Sequence, residues 1–394
     1  MHSVQKRSME IKIPRKKAKV QANFIVNWWN NVDQWSVLMV ASLIMFGVML
    51  SFGSSVAATT RASISEPLYY VYRQAAFACI AVTLLFSLSL LSVDNARRMA
   101  LFIYGGSLIL LVWIMVFGHT AKGAQRWIRL GSFTLQPSEF IKPAAIILVA
   151  WLLTRRIYDP NFRAEKFALL LIAVPIALFL MQPDVGQTIL LSVTFFIVFF
   201  ISGMSFKWGA ILFASASVGG VALFAFFPHF VDRINRFRDP SKNDVFQIEQ
   251  ALNAIANGDL WGKGAGEGVI KYQLPDSHTD FIFAMATEEW GLLGALLLIS
   301  LFAVLIVRGI HVASRNPDPF AQLAGIGLFT LFGLQASINL AVNLNLSPAK
   351  GMTLPFISYG GSSLIGTAIT MGLALALSKN RPGASILRKV SGKG

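Results

Sequence analysis

Ten apolar stretches, each nearly free of charge, constrain this chain more than any motif in it. They occupy about residues 35–53, 74–93, 99–118, 140–154, 167–183, 187–206, 208–229, 281–307, 320–346 and 357–378. Most approach the ~17–25 residues that a helix needs to cross hydrocarbon. The expected fold is an all-α polytopic membrane protein with about ten transmembrane helices. A mean hydropathy of +0.61 and a charged fraction of 13%, against about a quarter in soluble domains, leave too few polar side chains for a water-exposed shell. Lipid must solvate much of the surface.

Ten spans put both termini on one side. Most of the 34 Lys and Arg residues fall on that side, and the positive-inside rule makes it cytoplasmic. The chain divides into a basic N-terminal tail (1–34), a transmembrane domain (35–378) and a basic C-terminal tail (379–394). The first tail carries Lys6, Arg7, Lys12, Arg15, Lys16, Lys17 and Lys19, and the second Lys379, Arg381, Arg388, Lys389 and Lys393. A net charge of +15 invites a nucleic-acid reading, but charge placed beside the membrane at both ends suits anionic lipid, so no nucleic-acid partner is expected. The basic region is too long for a cleavable signal. The single cysteine, Cys79, allows no internal disulfide, and no Cys/His cluster offers a metal site.

Two outer loops hold most of the remaining polar residues. One is 119–139. The other, 230–280 between the seventh and eighth helices, is far longer than a connection needs and so is a functional candidate. It opens with Arg233, Arg236 and Arg238, whose guanidinium forks match phosphate oxygens or general lipid headgroups. Gly262, Gly264, Gly266 and Gly268 alternate as a phosphate cradle would, but no Walker Lys–Ser/Thr pair follows, and turn chemistry is the better reading. LPDSHTDF then places Asp276, His278 and Asp280 at the mouth of the eighth helix. Asp280 is the last charge before the long apolar run, where partial desolvation would suit a general base. By spacing alone, Asp280 reads first as a helix N-cap, a role compatible with catalysis. His278 reads as a lone surface histidine. Glu288 and Glu289 fall about two turns into the apolar run, where carboxylates usually face a polar cavity.

In LQPSEFIKP, Glu139 and Lys142 are spaced i,i+3 and lie side by side on one helical face, able to neutralise each other in the membrane. Asp184, in MQPDVGQT, is a further acid near the outer interface. TLPFISYGGSS opens the last span with a Gly pair and small hydroxyls, in an arrangement unlike a potassium filter.

Taken together, GAQRWIRLG with LQPSEFIK, QPDVGQT, RINRFRDP, Gln250–Ala251, LPDSHTDFIFAMATEEWG and KGMTLPFISYGGSS resemble the SEDS family (shape, elongation, division and sporulation). They occur in family order over roughly residues 35–378. The HTDF block, the long basic N-tail and the wording of the 244–280 loop resemble the division branch more than the elongation branch. NLNLSPAKG (Asn343 to Gly351) departs from the commoner family pattern. The resemblance implies an inverting peptidoglycan glycosyltransferase that polymerises lipid II from undecaprenyl-pyrophosphate-linked glycan at the septum, in the bacterial inner membrane. It implies Asp280 as the essential loop aspartate and Glu139–Lys142 as the intramembrane pair. Arg126, Arg233 and Lys350 become candidates for the pyrophosphate, with Asp184 and His278 beside them. It also implies a class B penicillin-binding protein transpeptidase and other divisome proteins as partners. No dedicated cofactor is expected, although pyrophosphate chemistry admits a divalent cation such as Mg2+. The alternative is a lipid II flippase. It is less favoured because the acids and arginines gather at the outer face.

Overall fold

The computed structural model describes residues 24–379 apart from 122–123, 132, 206, 212–213, 215–217, 222–230, 232–245 and 349–350. Arg233, Lys350 and most of the apolar run 208–229 lie outside the described residues. Every other apolar run coincides with one helix. In chain order the helices are α1 (Phe24–Asn31), α2 (Gln34–Arg61), α3 (Tyr69–Ser89), α4 (Val93–Phe117), α5 (Ser138–Arg155), α6 (Ala164–Met181), α7 (Val185–Ile201), α8 (Phe246–Asn257), α9 (Ile282–Ser314), α10 (Pro319–Asn343) and α11 (Gly361–Leu377). Among the described residues, α2, α3, α4, α6, α9 and α10 are long and apolar enough to cross a membrane, and α7 and α11 are shorter apolar helices. The chain is a multi-pass membrane protein.

Local chemistry sets the boundaries. Asp33 caps α2, accepting from the Ser36 amide at 3.0 Å and its hydroxyl at 2.6 Å. Ser92 does the same for α4 through Asn95, and Asp318 caps α10 with Pro319 in its first turn, a position where proline costs no hydrogen bond. Asp33 also takes two hydrogen bonds from Arg308 at the far end of α9, at 2.5 and 2.8 Å. Such charge-assisted forks are stronger than neutral bonds. At the centre, α5 packs on α4, α6, α7, α10 and α11 and is buried along nearly its whole length. That explains how it tolerates Glu139 and Lys142: they face protein, not lipid.

Three features depart from the sequence expectations. The first is a small sheet in one loop of the helical fold. The loop 119–139 forms a three-stranded antiparallel sheet, β1 (His119–Ala121), β2 (Ala124–Leu130) and β3 (Phe133–Leu135). Gln136 N donates to Ser362 Oγ at 3.2 Å, and Ser362 donates to the Thr134 carbonyl. The sheet is thereby fixed over the N-terminal end of α11.

The second departure is a break in α9. Gly291 has φ 68° and ψ −173°, a conformation essentially confined to glycine. The helical bonds lost there are replaced by the backbone of the long loop. Leu292 N donates to Asp259 O at 2.9 Å, and Lys263 N and Gly264 N donate to Glu288 O and Glu289 O at 3.0 Å each. At ~1.5 Å per residue an unbroken α9 would be about 50 Å long, against about 30 Å of hydrocarbon. Leu292 to Ser314 alone is long enough to cross, so the half-helix before Gly291 need not lie within the span. All of its residues from Ile282 to Glu289 are buried.

The third departure follows from the second. Glu288 and Glu289 face folded loop, not a cavity. Glu288 accepts from Val269 N and Ile270 N at 2.8 Å each, Asn257 Nδ2 at 2.9 Å and Lys271 N at 3.2 Å. Glu289 pairs with Lys271 at 2.7 Å, both almost fully buried. The glycine segment before Lys271 supplies turns, with positive φ at Gly262, Gly264 and Gly266.

Candidate active site

A cavity of about 380 Å³ lies beneath the sheet. Its wall takes Arg73 and Phe77 from α3, Arg126, Trp127, Phe133 and Thr134 from the sheet, and Glu139 from the start of α5. Asp184 and Gln187 come from the start of α7, Asp276, Thr279 and Asp280 from the approach to α9, and Gly351, Thr353 and Tyr359 to Ser363 from the segment before and into α11. The candidates Arg126, Glu139, Asp184 and Asp280, scattered over more than 150 residues of chain, therefore share one wall.

The floor is a buried polar network. Lys142 Nζ donates to Glu139 Oε2 at 2.9 Å, to Gln187 Oε1 at 2.7 Å and to Gln335 Oε1 at 3.4 Å. Gln187 Nε2 donates in turn to Glu139 Oε1 at 2.7 Å. Both charges are nearly inaccessible. The i,i+3 pair exists as the spacing implied, but with Gln187 bracing it: an amide can donate to the acid and accept from the base at once. Lys142 itself is not on the cavity wall; Glu139 stands between.

Arg126 is anchored from outside. It donates through Nε to Gln182 O at 3.2 Å and through Nη2 to Pro183 O, and its Nη1 lies 3.5 Å from Asp184 Oδ1. Asp184 also caps α7, accepting from Gln187 N at 3.5 Å. Burial pushes the Asp184 carboxyl above its usual range, and the Arg126 charge only partly offsets this.

Asp280 lies beside Gly351: a Cβ built there would sit 3.8 Å from Asp280 Oδ2. The N-cap role expected for Asp280 is not seen. The N-cap position of α9 is Phe281, with no capping side chain of its own. His278 is not on the cavity wall. Its ring packs against Tyr70 and Tyr359, with centroids 4.8 and 5.7 Å away, so the lone surface histidine is an aromatic wedge behind the site.

Several residues escaped the sequence reading. Arg73 donates to Tyr69 Oη at 2.6 Å and sits 5.4 Å over its ring, placing a second guanidinium on the wall. The visible signal was one charge at the edge of an apolar run. Gln187 stood inside a motif already singled out. Gln335, Asn339 and Asn343 recur on one face of α10 as amides in an otherwise apolar run, and amides in such runs usually face protein.

The site thus offers the carboxylates of Asp184, Asp276 and Asp280, two guanidinium groups and a braced acid–base floor around one open space. Among the described residues no three His, Cys, Asp or Glu side chains cluster to hold a metal.

Residues 34–382 match the family model FtsW/RodA/SpoVE, described as cell cycle protein. The chain is 44% identical over 357 residues to a probable peptidoglycan glycosyltransferase FtsW of Caulobacter vibrioides, covering 91% of this chain and 92% of that one. It is 37% identical to a protein of the same name from Alkalilimnicola ehrlichii, covering 88% and 89%. Among solved structures, it resembles a chain of a peptidoglycan synthase complex that coordinates polymerization and crosslinking, at TM-score 0.71 and 29% identity over 88% of this chain and 97% of that one. It also resembles the rod shape determining protein RodA of Thermus thermophilus, at TM-score 0.65 and 30% identity over 89% and 97%.

Proposed function

Because the chain belongs to the FtsW/RodA/SpoVE family of cell cycle proteins, we propose that it is a peptidoglycan glycosyltransferase that polymerises lipid II during septal wall synthesis. The observation that carries this reading is the cavity itself: Asp280 shares one wall with Arg73 and Arg126, above the Glu139–Lys142 floor.

In the proposed reaction, the 4-hydroxyl oxygen of the acceptor sugar attacks the anomeric carbon of the undecaprenyl-pyrophosphate-linked glycan. The new C–O bond forms as the bond to pyrophosphate breaks, with inversion. Asp280 takes the hydroxyl proton, and the pyrophosphate leaves with the electron pair. Guanidinium groups are suited to the leaving oxygens, which gain charge in the transition state. Arg73 and Arg126 serve there, joined by Arg233 and Lys350 from outside the described residues. Glu139, Lys142 and Asp184 fix the floor, and His278 wedges the loop. A divalent cation such as Mg2+ would be held mainly by the substrate's own oxygens.

The reading extends to the surroundings. The tails lie in the cytoplasm and the 230–280 loop outside the inner membrane, ten helices crossing in all. A class B transpeptidase crosslinks the strand made here, and other divisome proteins bring both to the septum.

The test is strand formation from lipid II by purified chain with its transpeptidase partner, in detergent. Wild type should make polymer. Asp280→Asn, which keeps shape and most hydrogen bonding but cannot accept the proton, should fold and bind the partner yet run at least ~10²-fold slower. Near-normal synthesis by well-folded Asp280→Asn would remove it from the chemistry. A flippase would make no strands where no leaflet separates substrate from site.

A further inference from the structure

If Asp280 is the proton acceptor, its carboxylate must be held still while its own backbone is neither helix nor strand. Three consecutive carbonyls just before α9 are each gripped from elsewhere. His278 O accepts from Tyr359 N at 2.8 Å. Thr279 O accepts from the Ser358 hydroxyl at 2.6 Å. Asp280 O accepts from two side-chain amides one turn apart on α10, Asn339 Nδ2 at 3.0 Å and Asn343 Nδ2 at 2.9 Å.

The gripping groups are themselves fixed. Asn339 and Asn343 are 1% and 0% exposed. Asn339 Nδ2 also donates to Met352 O at 2.6 Å, tying α10 to the segment that carries Gly351 past the Asp280 carboxylate. Ser358 Oγ accepts from Leu354 N at 2.8 Å. Side-chain amides buried in an apolar run and fully engaged with backbone are costly to misplace, because each unsatisfied group forfeits its solvation.

Asn343 does one thing more. Its Oδ1 accepts from Ala284 N at 3.1 Å, the third residue of α9, whose amide an N-cap side chain ordinarily satisfies. The cap that sequence spacing assigned to Asp280 is supplied by a neighbouring helix. Asp280 is relieved of that duty, and its carboxylate lies on the cavity wall instead.

We propose that Asn343, Asn339 and Ser358 are positioning residues for Asp280: they hold the backbone of residues 279–280 as a template, and Asn343 replaces Asp280 as the cap of α9. This rests on the glycosyltransferase reading. A purely structural role would also cost stability when the side chains are removed, so the discriminating quantity is coupling to Asp280.

The experiment is a double-mutant cycle on lipid II polymerisation by the purified complex, with thermal melts alongside. Asn343→Ala, Asn339→Ala and Ser358→Ala are each made in wild type and in Asp280→Asn. In wild type each should lower kcat on the order of 10-fold or more with KM little changed, since small misplacement of a reacting group is expensive. In Asp280→Asn the same changes should cost nearly nothing further, because no base is left to position. Equal fold-losses in both backgrounds, or a loss confined to KM or melting temperature, would overturn the proposal. Ser358→Ala removes one hydroxyl and carries the cycle should an asparagine variant fail to fold. The parent reading is judged separately, from Asp280→Asn alone: if that single variant keeps near-normal activity, the general-base assignment fails before any cycle is read.

Discussion

Gln187 bridges the buried ion pair of Glu139 and Lys142 from both sides, accepting from the lysine at 2.7 Å and donating to the acid at 2.7 Å. Either charge alone would be stranded at a nearly inaccessible position. Lys142→Met should therefore cost about 3–5 kcal/mol, whereas Glu139→Gln with Lys142→Met should recover much of that, since replacing a buried pair whole is often near neutral. Thermal stability of the four proteins in detergent checks this; simple additivity would mean the two charges do not depend on each other.

The break in α9 predicts an asymmetry between glycines. At Gly291 a Cβ would lie 2.3 Å from Gly262 N and 2.5 Å from Leu260 O, on a backbone that L-residues avoid. Gly291→Ala should destabilise by at least about 2–3 kcal/mol. Gly105, inside α4, has open space around its Cβ position, so Gly105→Ala should be neutral or stabilising by up to about 1 kcal/mol. Melting curves of the two variants should shift in opposite directions, or only the first should shift.

A third prediction concerns pH at the N-terminal end of α2. Burial tends to raise the Asp33 carboxyl, but hydrogen bonds from Arg308 and Ser36 outweigh it and hold the group below its ordinary 3.8. A carboxylate whose folded pKa is depressed stabilises the fold above its unfolded pKa and loses that contribution as pH falls through the folded value. Asp33→Asn should thus be less stable than wild type at pH 7, and the gap should close below about pH 3.8. Urea or thermal unfolding at pH 7, 5 and 3.5 measures it. A gap that stays constant would assign the effect to packing.

Topology supplies a fourth. A reporter fused after Gly394 should be active only in the cytoplasm, and one inserted near Lys242 only outside, if the proposed ten spans with a basic cytoplasmic face hold. A cytoplasmic signal from the Lys242 site would place the cavity on the wrong side for finished lipid II.

How much of this was legible beforehand depends on the range of the interaction. Apolar runs announced most helices because crossing hydrocarbon is a demand on local composition. The Glu139–Lys142 pair was legible because i,i+3 neighbours must meet on a helix. Gln187, from another helix, was not, since nothing in its own neighbourhood records the partner. The same reason hid Lys271, 18 residues from Glu289 in the chain, and with it the fact that an apparently intramembrane acid is covered by loop. Asp280 misled in an instructive way. Its residue type and place fit a cap, and only the fold reveals that Asn343 caps α9 from the side. The sheet at 119–135 stayed hidden because its strands are short and its contacts, to Ser362 of α11 and to α4, are with residues distant in the chain.

The clasp between Lys271 and Glu289 also bears on biogenesis. Lys271 precedes Glu289 in the chain and leaves the ribosome first. If the loop lies outside, as the proposed topology has it, the cation, the turns and the amides that receive the two glutamates reach the far side ahead of the acids. Lys271 can therefore wait on the far side, and the half-helix can bury its carboxylates against a finished cradle as it arrives. The bilayer need never accommodate them bare.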